Sequence, residues 1–510
     1  MPLYVVFQHS SDFSPMTDTA STPEANRPEA RKPRGFQDKR SALLAMEHKL
    51  VTDISAVYAS WGFEALDTGP FEYVDALGKF LPDTDRPNEG VFAIQDDDEQ
   101  WMALRYDHTA PLARFVAEHW NQIPKPFRRY AAGPVWRNEK PGPFRFREFI
   151  QCDADAVGVA GPAADAEMIA IFSEAMQATG AGVGDYEIRV NTRELLDGVM
   201  KAASVGQGEQ RLIVMRALDK MDKFGAEGVG LLLGPGREDE SGDFTKGAGL
   251  DDASIATLLA FAGARRDSRS QTLNVLADIA GGNEAGAQGI ETLNAVHEIL
   301  NALNVTDEMA VFDPAIVRGL EYYTGPVFEA ELLREFKDEK GRLVRFGSVG
   351  GGGRYDDLIA RFTGEQVPAT GMSVGVSRLA ALLAAEAEAE DDKADGPVVV
   401  LALQREHMAD YCALASQLRA GGVKAEVYLG SSGMRAQMKY ADRRKAPAVV
   451  IVGNQEREAG TITVKDLVAG AKAAKGIEDN AEWREQRPGQ FEATRGDFVA
   501  RIRSVVEDNG

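Results

Sequence analysis

A charged, alanine-rich segment divides this sequence into a long first part and a short second part. Residues 384–396 read AAEAEAEDDKADG and contain no large apolar side chain that could anchor them to a core. We therefore interpret them as a linker. With 510 residues, 44% of them hydrophobic, the chain is too long for one core, and two or three domains are expected.

The part that follows this segment alternates short apolar runs with helical patterns. Such alternation is typical of a small parallel or mixed α/β domain. The apolar runs lie at 398–403, 424–429 and 448–452, the helical patterns at 406–420 and 434–445, and a strand at 461–465. The remaining tail, 476–510, is polar with one short helical pattern at 498–506.

The sequence before the linker predicts an α+β core with an antiparallel sheet flanked by helices. Two helical patterns, at 39–61 and 162–179, flank strand signals spaced for hairpins, which lie at 63–66, 91–94, 101–104, 130–136 and 145–157. Two more strands, at 326–333 and 343–350, and a last helix at 374–389 come near the end of this part. Between these two groups, 195–310 is predicted to be a helical insertion, with a mobile loop at 234–249. Residues 1–33 are expected to be a disordered leader, with Met16 as an alternative start and no signal peptide.

The composition excludes several classes of protein. A net charge of −22 confines any nucleic-acid binding to local basic patches that are sensitive to salt. The two cysteines, Cys152 and Cys412, form no CxxC, so we expect neither disulfides nor a zinc knuckle, and a cytoplasmic location. The six histidines lie in unrelated contexts, so no metal site of protein side chains is expected. No organic cofactor is expected either. The sequence contains no apolar stretch of about 18 residues, so no membrane span is predicted.

Residues 136–149, WRNEKPGPFRFREF, combine arginines, a carboxylate and a ring on a predicted hairpin. Arg137 can bind a phosphate oxygen, Glu139 can accept a hydrogen bond from an adenine amino group, and Phe149 can stack on a base. The alternative is a charged edge strand that faces water. The PGP turn and the QCDAD sequence after the hairpin favour a functional site.

Residues 318–325, RGLEYYTG, give the sharpest signal in the chain. An arginine in an apolar pocket is costly unless an anion meets it, which favours a ligand that carries phosphate. Arg318, placed opposite Arg137, could hold the other side of a phosphate and act electrostatically as a metal would.

Three weaker motifs accompany these two. Residues 371–379, GMSVGVSRL, run from a strand into a helix, and alone indicate an ordinary buried helix start. Residues 350–357, GGGGRYDD, lack the lysine of a P-loop and alone indicate a flexible turn. Residues 104–109, LRYDHT, place an acid and a hydroxyl at a strand end, which alone indicates a solvent-facing position.

Taken in order, these motifs resemble those of the class II aminoacyl-tRNA synthetases. Residues 137–149 resemble motif 2 and 371–379 motif 3, while 39–70 resemble motif 1, which forms the dimer interface in this class. The resemblance implies that ATP is bound through its α-phosphate at Arg137 and its γ-phosphate at Arg145 and Arg378. It implies that Glu139 accepts from adenine N6, with Phe149 and Arg378 on the two adenine faces.

Residues 318–325 and 350–357 resemble the two signatures of the histidyl-tRNA synthetase family. This implies that Arg318 shares the α-phosphate with Arg137. The implied contacts to histidine are Asp107, Thr109 and Gln151 at the α-ammonium, Asp155 at an imidazole N–H, Tyr323 facing the ring, and Tyr355. The chain departs from the family at Phe144, where a glycine is usual before the motif 2 arginine, and at Ser377, where a glutamate is common. Asp at 107 and 155 is shorter than the Glu that many members carry, but an acid beside the imidazole would still favour histidine over neutral isosteres.

The resemblance covers 34–475 and implies the domain order. The predicted boundaries are 1–33 for the leader, 34–194 and 311–384 for the two parts of the catalytic core, 195–310 for the insertion, 385–396 for the linker, 397–475 for an anticodon-binding domain and 476–510 for an extension. Arg435, Lys439 and Arg443 recur at four-residue spacing on one predicted helix. Such a stripe is usually a solvated face, yet here it is the most concentrated basic surface and suits tRNA.

The implied activity is the ligation of L-histidine to tRNA(His) through a histidyl-adenylate, with ATP and Mg²⁺, by a cytoplasmic homodimer. One alternative is the synthetase-like regulatory subunit of ATP phosphoribosyltransferase, which typically lacks the C-terminal domain and has an eroded RGxxYY signature, the motif at 318–325 here. Another is a synthetase for glycine, threonine or proline, which would leave Arg318 and Tyr323 unexplained.

Overall fold

The computed structural model describes residues 28–77, 90–142, 144–238, 242–317, 319, 323–337, 343–390, 394–474 and 489–509. The chain forms two compact units, Met1–Ala385 and Glu386–Gly510. Most of the predicted leader therefore lies outside the described residues, as do Arg318 and the first half of the tail after 475.

The first unit is a mixture of helices and strands. Its strands are β1 Glu64–Ala65, β2 Phe71–Tyr73, β3 Ala93–Gln95, β4 Trp101–Leu104, β5 Phe127–Trp136, β6 Glu148–Val157, β7 Tyr186–Thr192, β8 Gly236–Glu238, β9 Phe244–Lys246, β10 Ala310–Phe312, β11 Pro326–Lys337, β12 Leu343–Arg354 and β13 Ala369–Gly375. Its helices are α1 Ser41–Ser60, α2 Val74–Leu77, α3 Thr109–His119, α4 Pro162–Ala178, α5 Arg193–Ala202, α6 Glu209–Leu218, α7 Met221–Leu233, α8 Asp252–Ala262, α9 Arg269–Ala280, α10 Glu284–Ala302, α11 Ala360–Thr363 and α12 Val376–Glu390.

An eight-stranded sheet in the order β1-β5-β6-β13-β12-β11-β7-β10 forms the centre of this unit. Its inner pairs are antiparallel, and only the edge pairs β1–β5 and β7–β10 are parallel. Helix α1 packs on the sheet because Leu50, Ile54 and Tyr58 recur every four residues and are buried. This arrangement confirms the α+β core with an antiparallel sheet flanked by helices.

The glycine run 350–353 lies within strand β12, so the alternative of a flexible turn is wrong. The backbones of neighbouring strands leave no room there for side chains. A Cβ on Gly350 would lie 2.3 Å from the Ser373 carbonyl oxygen, and one on Gly352 would lie 2.2 Å from that of Gly371. Glycine is thus needed for close strand packing beside the face that carries the site described below.

Two expectations for the first unit need correction. The glycine-rich stretch 234–249, expected to be a mobile loop, contains the hairpin of β8 and β9 in the otherwise helical insertion. The predicted linker does not begin at 385, because α12 continues to Glu390. Alanine and glutamate are strong helix formers, which explains why the helix continues into this charged segment.

The second unit is a small α/β domain, as predicted. Its sheet has the order β15-β14-β16-β17-β18, with a parallel half and an antiparallel half. The strands are β14 Val398–Val400, β15 Ala425–Val427, β16 Ala448–Ile451, β17 Thr461–Asp466 and β18 Gln490–Thr494. The helices are α13 Met408–Ala420, α14 Met434–Arg443, α15 Asn454–Ala459, α16 Leu467–Ala474 and α17 Phe498–Asn509. The end of the tail belongs to this unit, since β18 pairs with β17 and Phe498 and Ile502 of α17 are buried.

Among the described residues, none of the helices is long and apolar enough to cross a membrane.

Candidate active site

A cavity of about 520 Å³ opens on the face of the large sheet formed by β5, β6, β12 and β13. It brings together residues from motifs that are far apart in the sequence. Its lining includes three arginines, three acids, an amide and four aromatic rings: Arg137, Arg145, Arg378, Asp107, Glu139, Asp153, Gln151, Phe144, Phe146, Phe149 and Tyr323. Such a set offers positive charge to an anion and carboxylates to a cation within one space.

Arg137 is held at the mouth of the predicted hairpin. Strands β5 and β6 pair up to Trp136 and Glu148, and the Arg137 amide then donates to the Arg147 carbonyl over 2.9 Å. The Arg137 Nε donates to the Tyr106 carbonyl over 3.1 Å, and the guanidinium carbon lies 5.2 Å from the centre of the Phe149 ring. These contacts fix the guanidinium at the cavity wall.

Glu139 and Arg145 form an ion pair across the hairpin loop, with 2.5 Å between Glu139 Oε2 and Arg145 Nη2. Their side chains are 42% and 67% exposed, so the pair is held weakly. Two side chains for which separate ligand contacts are predicted therefore neutralise each other here. A nucleotide would have to exchange or share this contact.

Phe144 replaces the usual glycine, and it keeps the backbone conformation that glycine favours. Its φ is 53°, which is unfavourable for an aromatic residue by about 1–2 kcal/mol. The ring packs on Phe336 and Phe346, with centroid distances of 5.4 and 6.0 Å. This packing offsets the strain and anchors the hairpin loop to β11 and β12.

Arg378 is oriented by backbone carbonyls. It donates to Ser348 over 2.8 Å and to Phe346 over 2.6 Å, and its guanidinium carbon lies 4.4 Å from the centre of the Phe346 ring. Burial and the charge of Arg145 lower the pKa of Arg378, as expected for a cation held by carbonyl oxygens rather than by a carboxylate.

Ser377 is bonded to a buried glutamate that comes from another part of the chain. The Ser377 hydroxyl donates to Glu47 of α1 over 2.5 Å and accepts from the Ile150 amide over 2.9 Å. Lys39 pairs with the same Glu47 over 2.8 Å, and the Glu47 side chain is 1% exposed. Thus a carboxylate lies beside residue 377 although the residue itself is serine, and it connects α1, β6 and α12.

Glu47→Ala should lower the unfolding temperature by several degrees and raise the KM for ATP, because it leaves the Lys39 ammonium without its carboxylate, at a cost of about 3 kcal/mol. Thermal unfolding and steady-state kinetics measure these effects. Glu47→Ala/Ser377→Glu should recover at least half of both losses. Asp53→Ala, which breaks the exposed ion pair with Lys49 on the same helix, should cost less than about 1 kcal/mol. A double variant no better than Glu47→Ala would contradict this role of Glu47.

The residues predicted to bind the α-ammonium group line the same cavity. Asp107 accepts from the amides of Thr109 and Ala110 at the start of α3, over 3.1 and 2.9 Å. Burial raises the pKa of Asp107, with the amide hydrogen bonds and Arg137 opposing it. Gln151 donates to the Ser373 hydroxyl over 2.7 Å, which leaves its oxygen for a ligand.

Three further residues are predicted to contact histidine: Asp155 and Tyr323 at the imidazole, and Tyr355. Of these, Tyr323 lines the cavity and the other two do not. Asp155 pairs with the buried Arg129 over 2.9 Å and accepts from the Tyr355 hydroxyl. Burial raises the pKa of Asp155 to about 6, against the opposing charge of Arg129. Asp155 and Tyr355 thus lie in a buried network outside the lining, so a direct contact of either with histidine stays a prediction.

Asp153 lines the cavity and was not among the predicted site residues. Phe149, Gln151 and Asp153 alternate along β6, so their side chains lie on one face of the sheet. That alternation is visible in the sequence and could have identified Asp153.

In the second unit, Arg435, Lys439 and Arg443 all lie on α14 and are exposed, in agreement with the predicted stripe. Cys152 and Cys412 are free thiols, the first of them buried. In the described part of the chain, no group of three or more His, Cys, Asp or Glu side chains could hold a metal ion.

A class II aminoacyl-tRNA synthetase is the class that this antiparallel sheet and arginine-lined cavity define. Residues 35–379 match the model of the histidyl-tRNA synthetase family, and residues 397–486 match that of the anticodon-binding domain. The chain belongs to the histidyl-tRNA synthetase family.

Curated relatives share most of their length with this chain. A histidine–tRNA ligase from Caulobacter vibrioides is 57% identical over 493 residues, which is 96% of this chain and 100% of the relative. One from Brucella ovis is 52% identical over 489 residues, 95% and 97% of the two chains.

Solved structures of similar proteins have the same fold. Histidyl-tRNA synthetase from Nostoc sp. PCC 7120 has a TM-score of 0.69 at 27% identity and covers 94% of this chain and 100% of its own. A Bacillus halodurans protein, described as an ATP phosphoribosyltransferase regulatory subunit/histidyl-tRNA synthetase, has a TM-score of 0.62 at 21% identity. It covers 81% of this chain and 97% of its own, a likeness of fold alone.

Proposed function

We propose that this chain ligates L-histidine to tRNA(His), with ATP consumed and a histidyl-adenylate as the intermediate. The observation that carries the proposal is the cavity, which combines Arg137, Arg145 and Arg378 with Asp107 and Gln151. The arginines match the triphosphate, and the acid and the amide match an ammonium group. Membership of the histidyl-tRNA synthetase family identifies histidine as the amino acid.

In the first step, a histidine carboxylate oxygen forms a bond to the α-phosphorus of ATP, and the bond to the bridging oxygen of the β-phosphate breaks. Diphosphate leaves, and the histidyl-adenylate remains. Arg137 stabilises the charge that develops on the α-phosphate. The sequence resemblance places Arg318 on the opposite side of the same phosphate. Phe149 and Arg378 hold the adenine between them, and Arg145 and Arg378 bind the γ-phosphate. Positioning and charge, without a covalent bond to the protein, carry this step.

In the second step, a terminal ribose hydroxyl of tRNA(His) attacks the adenylate carbonyl, and AMP leaves. The second unit would bind a part of the tRNA that is remote from its reacting end. The stripe of Arg435, Lys439 and Arg443 would contact the phosphate backbone there. The substrate is ATP as its Mg²⁺ complex, and no organic cofactor takes part. We propose a cytoplasmic homodimer, in which α1 and the strand after it, as the motif 1 element, form the dimer interface.

Histidine-dependent ATP–pyrophosphate exchange tests this function against both alternatives. We expect exchange with histidine and with none of glycine, threonine or proline. No exchange with any amino acid, by a protein that still binds ATP, would support a regulatory subunit. Exchange with another amino acid alone would refute both the histidine activity and the regulatory subunit, and would support a synthetase for that amino acid.

A further inference from the structure

The chain enters helix α1 through a short segment, residues 33–39, that contacts two of the predicted ATP-binding motifs. It begins with a tight turn, in which the Phe36 amide donates to the Pro33 carbonyl over 3.2 Å. Gly35 is the third residue of this turn and has a φ of 85°, a conformation that favours glycine at this position. The Gly35 carbonyl accepts from the Arg147 amide over 2.8 Å, so the turn lies against the hairpin of β5 and β6.

Arg147 links this turn to two residues that are predicted to bind ATP. Its carbonyl accepts from the Arg137 amide over 2.9 Å, and its Nε donates to the Glu139 carbonyl over 2.9 Å. Neither Arg147 nor Gly35 lines the cavity. A shift of Arg147 would therefore move the backbone that carries the predicted α-phosphate and adenine contacts, although no atom that touches the nucleotide would be removed.

Gly35 and Arg147 fit closely against each other. A Cβ on Gly35 would lie 2.8 Å from Cγ and 2.9 Å from Cδ of Arg147. Carbon atoms in favourable contact are about 3.5–4.0 Å apart, so any side chain at position 35 would displace the stem of Arg147. Because this stem leads to Nε, its displacement would weaken or break the hydrogen bond to the Glu139 carbonyl.

The other end of the segment reaches the residue that precedes Arg378. The Lys39 ammonium lies 2.8 Å from the Glu47 carboxylate and donates to the Ser377 hydroxyl over 3.4 Å. The Lys39 side chain is only 15% exposed, so salt in the solvent screens these contacts little. One short stretch of chain thus joins the hairpin at one end and the start of α12 at the other.

We propose that residues 33–39 hold the two ATP-binding motifs in place, with Gly35 and Arg147 as positioning residues for the nucleotide. The segment acts on ATP and not on histidine, because its contacts lead to the predicted adenine and phosphate residues. The predicted ammonium contacts, Asp107 and Gln151, are held by other groups. This inference rests on the proposed function, since it assigns a role in the binding of ATP.

Gly35→Ala tests the close fit, and Gly180→Ala is its matched control. Gly180 has a φ of 91°, and a Cβ there would meet no atom of the described chain within 4 Å. Both substitutions place alanine at a left-handed position, so both should lower the unfolding temperature to a similar extent. Only Gly35→Ala should raise the KM for ATP in the exchange reaction, by about tenfold, while the KM for histidine stays within about threefold.

A rise in the KM for ATP of less than about threefold in folded Gly35→Ala would overturn the proposal. An equal rise in Gly180→Ala, or an equal rise in the KM for histidine, would also overturn it, because strain at any glycine or a general loosening of the site would then explain the effect.

Arg147→Met decides the matter if alanine at position 35 prevents folding. Methionine keeps most of the apolar stem but removes the Nε donor to the Glu139 carbonyl. We expect the KM for ATP to rise by about fivefold, with an unfolding temperature close to that of the wild type. A KM for ATP that rises less than about twofold in this variant would contradict the role of Arg147.

Equilibrium binding of ATP alone separates this inference from the proposed function. The dissociation constant for ATP, measured without histidine, should also rise by about tenfold in Gly35→Ala and stay unchanged in Gly180→Ala. If the wild-type protein shows no histidine-dependent exchange, the proposed function fails. The dissociation constants of the wild type and the two glycine variants then still decide whether residues 33–39 position the nucleotide.

Discussion

Arg137→Ala is expected to lower kcat for histidine-dependent ATP–pyrophosphate exchange by about 100- to 1,000-fold, because its guanidinium stabilises charge that exists mainly in the transition state. The contacts to the Tyr106 carbonyl and the Phe149 ring hold Arg137 before the nucleotide binds, so little reorganisation is needed. The KM for histidine should change by no more than about threefold.

Arg334→Ala is the matched control for this experiment. Arg334 pairs with Asp185 over 2.9 Å, both side chains are at least 32% exposed, and neither lines the cavity. Its removal should leave exchange unchanged. A loss confined to histidine affinity in Arg137→Ala would contradict a role at the α-phosphate. From the sequence, Arg318→Ala and Arg318→His should likewise depress adenylate formation far more than histidine binding.

Truncation after Glu390, which removes the domain predicted at 397–510, should spare adenylate formation and weaken tRNA charging. Each unit has its own apolar clusters. We expect exchange within about threefold of the full chain, and a fall in kcat/KM for tRNA of about 100-fold or more, equal to about 2.7 kcal/mol of binding. A collapse of exchange would show that the second unit supports the first structurally.

Replacing Arg435, Lys439 and Arg443 of α14 by glutamine tests the tRNA contact without removing the domain. All three side chains are exposed, so the fold should be unaffected. If these side chains bind phosphates, the slope of log K against log salt for tRNA binding should become shallower by about 0.7–0.9 for each phosphate that is no longer neutralised. An unchanged slope would mean that the stripe is only a solvated face.

The hairpin and the cavity could be predicted because their signals are local. Phe149 lies on β6 and Arg137 directly follows β5, and the pairing of these two strands requires no information from distant parts of the chain. By contrast, β18 pairs with β17 although more than twenty residues separate the two strands in the sequence, and the polar sequence of β18 gives no sign of a strand. Long-range pairing of this kind depends on tertiary contacts that local propensity does not contain.

The finer details of the site depend on packing between distant elements. Glu47 lies 330 residues from Ser377 in the sequence, so its role beside α12 could not be inferred from motif 3. Phe144 keeps a glycine-like φ because rings on β11 and β12 hold it. The resemblance alone places Asp155 at the imidazole, and only the strand register shows that its neighbours are Arg129 and Gly371.

The identity of the amino acid that the chain esterifies to tRNA tests the central claim most directly. The full chain would be incubated with ATP, unfractionated tRNA and all twenty amino acids, and the aminoacyl esters identified by mass spectrometry after release from the tRNA. We predict histidine alone, on tRNA(His), with AMP formed in equal amount. Another amino acid, or no ester from a folded protein that binds ATP, would contradict the account.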